Sequence, residues 1–358
     1  MAPRQPTRRT ATLASLAAEL GVSRTTVSNA YNRPDQLSPQ LRQRVLEAAK
    51  RLGYPGPDPL ARSLRTRRAG AIGLVLTEAL SYAFRDPAAV KFLEGLAWAC
   101  EDARTGLLLV PAVPGAGSDP ALAAAASVDG FVVYSLPTGD PHLEAVLARP
   151  VPTVIVDEPL EIEGVDWVGI DDHVAAASVG SHVASLGHQR VAILCTRIGF
   201  ELRDGAVSLD RQLESSYDVV RLRLDGITEG LGIDRQQIPV YECWTHSVSS
   251  AETEAGRLLS DHPDVTALMC TTDILALGAK RAAESRGLRI PDDLSITGFD
   301  DIPDAAVAGL TTVAQPHAAK GRAAWRLLSR EDRELREAVR EVLDTELVVR
   351  TSTAKPRL

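Results

Sequence analysis

TLASLAAELGVSRTTVSNAYN, residues 12–32, carries the pattern of two short helices joined by a tight turn. An apolar-periodic run, Leu13, Leu16, Ala17 and Leu20, follows Thr12 and stops at Gly21. After Val22 alone, Ser23 opens a second helical stretch through Arg24, Thr25, Thr26, Val27, Ser28 and Asn29. A third runs from Ser38-Pro39 through Arg42, Val45, Leu46, Ala49 and Leu52 to Gly53. Each start has a local signal. Thr12 and Ser23 can cap orphan N–H groups, and Ser38 is a cap followed by proline at the first helical position. Leu16, Val22, Val27, Val45 and Leu46 are expected to form the small core. The arrangement predicts a helix-turn-helix unit over residues 10–56, a small all-α head suited to duplex DNA.

The charge distribution agrees. The chain carries a net −8, yet residues 1–68 hold 13 Arg/Lys against 4 Asp/Glu, so the remainder is strongly acidic. A basic head on an acidic body fits a head that docks on phosphates and a body that does not. On the outward face of the second helix, Arg24, Thr25 and Asn29 are the candidates for base edges: arginine suits guanine, asparagine suits adenine. For Arg24 a phosphate contact is the alternative reading. Thr12, Ser23, Thr26, Ser28 and Asn32 are better placed for phosphates or caps.

Gly53-Tyr54-Pro55-Gly56-Pro57 reads as a stop and an extended linker. Asp58-Pro59 then opens a short run, Leu60-Ala61-Arg62-Ser63-Leu64-Arg65, too short for a stable isolated helix. Residues 57–69 are therefore expected to be a hinge that orders only on DNA or against a second copy. Leu64, among arginines, suits a wedge in the minor groove, with Ala61 and Arg65 as neighbouring contacts. Packing of Leu64 on its own body is the alternative.

From residue 70 onward, short β-rich runs alternate with helical stretches. Ala71–Leu76, Leu107–Val110, Gly130–Tyr134, Val151–Val156, Val191–Leu194, Ala267–Cys270 and Leu294–Gly298 read as strands. The stretches 88–103, 173–186, 249–262 and 274–286 read as helices. The alternation predicts parallel sheets covered by helices, in two lobes meeting near His173. Ligands in such sheets bind beyond the strands' carboxyl ends. Asp171 and Asp172, Thr272 and Asp273, and Asp300 and Asp301 all follow strand ends, as does Trp244. Helix capping is the expected role of Asp273 and Asp301.

Several function classes are disfavoured. No 18-residue apolar run is present, so no membrane span is expected. The polar, Arg-rich start is not a secretory signal, and a cytoplasmic location is expected. Cys100, Cys195, Cys243 and Cys270 lie far apart and read as buried thiols, not as a metal site or disulfides. No metal or other cofactor is expected. Four adjacent acidic pairs (157–158, 171–172, 292–293, 300–301) suggest paired-carboxylate catalysis. Adjacent residues on a strand face opposite sides, however, and phosphate-loop, dinucleotide and nucleophile-elbow motifs are missing. A sugar-processing enzyme is the distant alternative.

These segments resemble the LacI/GalR family of transcriptional regulators. The resemblance rests on residues 12–32, "SPQLRQRVLEAAKRLGY", "ARSLR", "LGHQRVAIL", "ALMCTTDILALGAKRAAESRGLRIPDDLSITGFDDI", "LTTVAQP" and "TELVVRTSTA", in family order. It implies a periplasmic-binding-protein-like body over residues 70–358, dimerisation included. Lobe one would span about 70–173 and 316–343, and lobe two about 174–315 and 344–356. It also implies a homodimer on a pseudo-palindromic operator and a small-molecule effector between the lobes, a sugar in preference to a nucleoside. By similarity Arg223, Trp244, Thr272 and Asp300 face the effector, with Gln315 beside them. Asp171 is added from its strand end, and Tyr82, Phe84 and Asp86 from a loop that departs from the family. Asn29 stands where many members carry Arg or His, so an operator sequence does not carry over. The tail after Ala354 reads as a disordered end, too short for the helix that makes some members tetramers. The expectation is a repressor controlled by its effector, with an activator or a corepressor-dependent regulator as the alternative.

Overall fold

Val-, Ile- and Leu-rich segments become parallel strands here because helices cover both sheet faces and leave no solvated side to demand polar residues. The computed structural model describes residues 11–56, 68–113, 119–332 and 336–357. It divides into two units at Ala69/Gly70.

In the first unit, helices Leu13–Leu20, Arg24–Asn32 and Pro39–Leu52 are capped by Thr12, Ser23 and Ser38, as their sequences predict. Gly21 and Gly53 end the first and third in the left-handed conformation. Leu16, Ala17, Val27, Ala30, Val45, Ala48 and Ala49 make the core. Leu46, expected in that core, is only half-buried, and Val22 packs at its edge. The inward stripe of the third helix is Val45, Ala48, Ala49 and Leu52, and Leu46 sits one step round the helix from it.

The strands of the second unit are β1 (Ala71–Thr77), β2 (Gly106–Ala112), β3 (Phe131–Tyr134), β4 (Thr153–Val156) and β5 (Asp166–Ile170). There follow β6 (Val191–Thr196), β7 (Gly205–Ala206), β8 (Val240–Cys243), β9 (Ala267–Cys270) and β10 (Ser295–Thr297). The last are β11 (Thr312–Ala314), β12 (Arg340–Leu343) and β13 (Glu346–Val348). One sheet runs β12-β5-β4-β3-β1-β2, all parallel. The other runs β10-β9-β6-β8-β7, parallel except for the short edge strand β7. An antiparallel β11–β13 pair completes the crossings.

Period-two alternation sorts the strand residues. In the first sheet, Leu74, Leu76, Val132 and Val154 pack on helices Pro87–Asp102 and His317–Leu328, while Val75, Val133 and Ile155 face the other side. In the second, Ile193, Val240 and Met269 meet helices Asp172–Ser185 and Asp218–Leu231. Leu194, Leu268 and Cys270 meet helices Val248–Asp261 and Asp273–Glu284. The pair covering the first sheet approaches backbone to backbone: a Cβ at Gly95 would lie 2.0 Å from the Ala318 carbonyl oxygen, so only glycine fits. All four cysteines are free and buried.

The tail corrects its sequence reading. The Ala354 carbonyl accepts from Ser295 Oγ, and Arg357 pairs with Asp293 at 2.8 Å, so the tail is tied down as far as Arg357. The hinge residues Ala61, Leu64 and Arg65 lie outside the described residues.

Candidate functional site

Strand carboxyl ends from both sheets converge on one cavity of about 140 Å³. Thr77 and Glu78 reach it from β1, Tyr134 and Ser135 from β3, and Asp157 and Glu158 from β4. Across from them stand Thr196 at the end of β6 and Arg197 just beyond it, Trp244 and His246 beyond β8, Thr272 beyond β9, and Asp300 beyond β10. Helix Asp218–Leu231 adds Val219, Val220 and Arg223, with Tyr217 at its N-cap. Tyr82, Asp86, Gln315 and His317 complete the polar lining.

The backbone is strained where it turns in. Glu78, Ser135, Asp157 and Asp300 all have positive φ (82°, 52°, 65° and 122°). Each such residue costs on the order of 1–3 kcal/mol and persists only where its surroundings hold it. Here ion pairs and hydrogen bonds do so. Lys320 Nζ, almost wholly buried, lies 2.5 Å from Asp157 Oδ1 and donates to Gln315 Oε1 at 2.6 Å. Gln315 Nε2 in turn donates to Asp300 Oδ1 at 2.6 Å. Arg223 Nε donates to Asp172 at 2.8 Å, its NH1 donates to the Thr271 carbonyl at 2.7 Å, and its guanidinium lies 3.9 Å from the Phe299 ring centre. Contacts that cross between the two sides include the Glu78–Arg197 ion pair, the Tyr82 hydroxyl on His246 Nδ1, and the Val219 N–H donated to Glu158 Oε2 at 3.1 Å. His246 Nε2 continues to Thr272 Oγ1 at 2.8 Å, and that oxygen also accepts the Leu275 N–H.

Burial governs the ionisation of these groups. It pushes Glu158 up to about 8, although the Val219 N–H bonded to its carboxylate works the other way. Asp300 is raised well above the usual carboxylate range, by burial first, with Arg223 opposing. Burial, helped by the Lys320 cation, lowers His317 to about 3. It lowers His246 as well and raises Tyr217 to about 12. The Tyr217 hydroxyl, Thr77 Oγ1 and both His317 ring nitrogens meet no hydrogen-bond partner among the described residues. A polar cavity whose walls are part donor, part acceptor can hold a polyhydroxylated molecule by many weak bonds.

Of the residues singled out from sequence, Tyr82, Asp86, Arg223, Trp244, Thr272, Asp300 and Gln315 line this cavity. Phe84 does not: it is 63% exposed. Asp171 does not either. It is exposed and caps helix Asp172–Ser185 through Val174 N, while its neighbour Asp172 turns inward to Arg223. Asp273 and Asp301, expected as helix caps, do other work. Asp273 is fully buried and accepts from Ile302 N and Thr312 Oγ1, and its carboxylate fits because Gly298 has no side chain: a Cβ there would lie 2.1 Å from Asp273 Oδ1. Asp301 pairs with Arg350 at 2.6 Å. Sequence reasoning weighed the 157–158 pair only for catalysis and set it aside, although both residues face the cavity, and it passed over Arg197, Tyr217, His246 and His317.

On the head, Arg24 and Thr25 are exposed, and no side-chain hydrogen bond ties either to another described residue. Ser23 Oγ accepts Thr26 N and pairs with Thr26 Oγ1 at 2.9 Å. Asn32 spends its amide on Ser28 O and Oγ, both at 3.1 Å. Thr12 and Ser15 close a reciprocal cap. Among the described residues no group of His, Cys, Asp or Glu is placed to hold a metal, and no helix is long and apolar enough to cross a membrane.

Comparison with known proteins covers both units. The family described as "Bacterial regulatory proteins, lacI family" matches residues 12–56, and "Periplasmic binding protein-like domain" matches residues 181–353. The HTH-type transcriptional regulator Rv3575c of Mycobacterium tuberculosis is 49% identical over 358 residues, covering 98% of each chain. A crystal structure of a LacI-family regulator from Corynebacterium glutamicum aligns at 39% identity and TM-score 0.73, over 99% of this chain and 100% of that one. The structure of a CelR–cellobiose complex aligns at 28% identity and TM-score 0.67, over 96% and 99%. The head and body expected from sequence are the fold observed, and near-half identity from end to end settles the relationship: this chain belongs to the lacI family of bacterial transcriptional regulators.

Proposed function

We propose that the chain is a homodimeric repressor whose grip on a pseudo-palindromic operator is set by a small uncharged sugar in the cavity between the sheets. One observation carries the choice of ligand. Among the described residues, each cation at the cavity already faces a carboxylate: Arg197 faces Glu78, Arg223 faces Asp172, and Lys320 faces Asp157. A phosphate or carboxylate ligand therefore meets no free cation and several acids. Hydroxyls are better served. Asp86, Asp300 and Gln315 offer acceptors, and Glu158, holding its proton up to about 8, offers a donor. The volume is smaller than the roughly 300–1,000 Å³ of drug-sized sites and suits one sugar ring. CelR, bound to cellobiose, supports the sugar class.

The effector acts on the operator by changing closure of the two sheets and thereby the spacing of the 57–69 segments across a dimer. Such coupling is typically ~1–3 kcal/mol, or roughly 5–150-fold in affinity. The test uses the full chain. A preferred duplex is enriched from a random library, and monosaccharides, their phosphates and nucleosides are screened by thermal unfolding. A ligand at 100 times its Kd should stabilise by ~2.7 kcal/mol. A neutral monosaccharide is expected to shift the transition, to lose that shift in Trp244→Ala, and to release the enriched duplex. A shift from phosphorylated sugars alone would overturn the charge argument, and turnover of the sugar would make the chain an enzyme.

A further inference from the structure

The helix Arg24–Asn32, exposed at Arg24 and Thr25, has few uncommitted polar groups. Ser23 and Thr26 bond each other, and Asn32 is bound to Ser28. Asn29 is held from outside the helix: its Nδ2 donates to Gln36 Oε1 at 3.2 Å. Gln36 ends the 3₁₀ turn Pro34–Gln36, and that turn is itself anchored. Arg33 N donates to Asn29 O at 2.9 Å, Gln36 N to Arg33 O at 3.1 Å, and Leu37 packs on the head's core. Gln36 therefore stands at a fixed height beside the helix.

An asparagine amide has two N–H donors and one oxygen. With one N–H given to Gln36, the other N–H and Oδ1 remain. That pair is the donor–acceptor edge that matches adenine N7 and N6 in the major groove. With Gln36 presenting Oε1, the contact sets the sense of the edge, because flipping the Asn29 amide alone would bring Oδ1 against Oε1, two acceptors face to face.

We propose that Gln36 is a positioning residue for base reading: it orients the Asn29 amide so that its free edge selects adenine at one position of each half-site. The inference rests on the reading of this helix as the one that meets base edges.

The experiment is selection of duplexes from a random library by the full chain, comparing base preference at every position for the wild type, Asn29→Ala, Gln36→Ala and Gln36→Glu. The wild type should prefer adenine at one symmetric pair of positions, and Asn29→Ala should lose that preference. Gln36→Ala should weaken it about five-fold, the fold-change that roughly 1 kcal/mol makes, with the rest of the profile unchanged. Gln36→Glu keeps the acceptor and should keep the preference, with affinity lowered evenly by the added negative charge. If Asn29→Ala shifts the profile and Gln36→Ala does not, Asn29 reads alone and the positioning role falls while base reading stands. Loss of the adenine preference in Gln36→Glu, or an even loss of affinity in Gln36→Ala, also overturns it. An unchanged Asn29→Ala profile removes both the inference and the reading beneath it.

Discussion

Replacing Lys320 by methionine should destabilise the body more than any surface change, and a double-mutant cycle with Asp157→Asn should show why. The Lys320 side chain is about 1% exposed and that of Asp157 about 9%, with 2.5 Å between Nζ and Oδ1. Methionine preserves the stem but removes the cation, so a buried carboxylate and Gln315 Oε1 lose their donor together. Removing one partner of a buried pair costs about 3–5 kcal/mol, because the other charge is left uncompensated. Against a domain stability of roughly 5–15 kcal/mol, that is a large fraction. Removing both charges is a different matter. In Lys320→Met/Asp157→Asn no buried charge is stranded, and the residual cost is about that of one unsatisfied acceptor at Gln315, ~1–3 kcal/mol. The double variant should thus be no worse than either single one, with a coupling energy of about 2 kcal/mol or more.

Urea unfolding of the full chain, followed by tryptophan fluorescence, measures this cleanly. Trp98, Trp167, Trp244 and Trp325 all belong to the second unit, so the head is silent. The comparison requires an unchanged dependence on denaturant, which marks a change in stability and not in the compactness of the states. Costs below about 1 kcal/mol for Lys320→Met, adding simply with Asp157→Asn, are those of an exposed pair and would refute the buried network.

The other predictions concern the operator and pH. Arg24→Ala should relax the preference at one symmetric pair of operator bases by ~1–3 kcal/mol, whereas an even loss across all sequences would make Arg24 a phosphate contact. Leu64→Ala should weaken operator binding and reduce DNA bending, read by gel mobility of permuted fragments, with ligand-induced thermal shifts intact; unchanged bending would end the wedge role. Glu158 titrates near 8 in the folded body against 4.5 when free, so its contribution is full below about 4.5 and is lost as pH rises to 8. Glu158→Gln should therefore gain on the wild type between pH 6 and 8, by up to about 1.4 kcal/mol per unit, and parallel stability curves would refute it.

What the sequence showed well was local. Caps at Thr12, Ser23 and Ser38 and the left-handed glycines at 21 and 53 are settled within one turn of chain, and they stand as read. Thr272 and Asp300 drew notice as polar residues after buried apolar runs, and the family resemblance singled them out from the other residues at strand ends. The errors come from parity at those ends. Asp171 and Asp172 differ by one residue, and the start of the helix decides that the first caps while the second enters the core. Asp157 and Glu158 look like the two faces of a strand, but β4 stops at Val156 and the positive φ of Asp157 turns both toward the cavity. Arg197, Tyr217 and His246 have no local signature at all, since partners distant in sequence fix them.

The same contacts bear on how a ligand can act. Of the interactions at the cavity, Glu78–Arg197, Tyr82–His246 and the Val219 N–H on Glu158 tie the side of the first sheet to that of the second. Arg223–Asp172 lies on the second sheet's side, whereas Lys320 reaches from Asp157 through Gln315 to Asp300 beyond β10. An effector shifts closure only through interactions that differ between the two states. For the proposed sugar, the sign of the effect therefore turns on the crossing contacts, among them Glu78–Arg197, Tyr82–His246 and Glu158–Val219. A sugar that fills the cavity while leaving those contacts intact is expected to favour the closed body. One that replaces Arg197 on Glu78 or separates Tyr82 from His246 favours the open one. Coupling of about 1–3 kcal/mol is the scale of one or two such contacts, so a single substitution at Tyr82 or Arg197, both of which also line the cavity, is expected to alter the response to the proposed sugar.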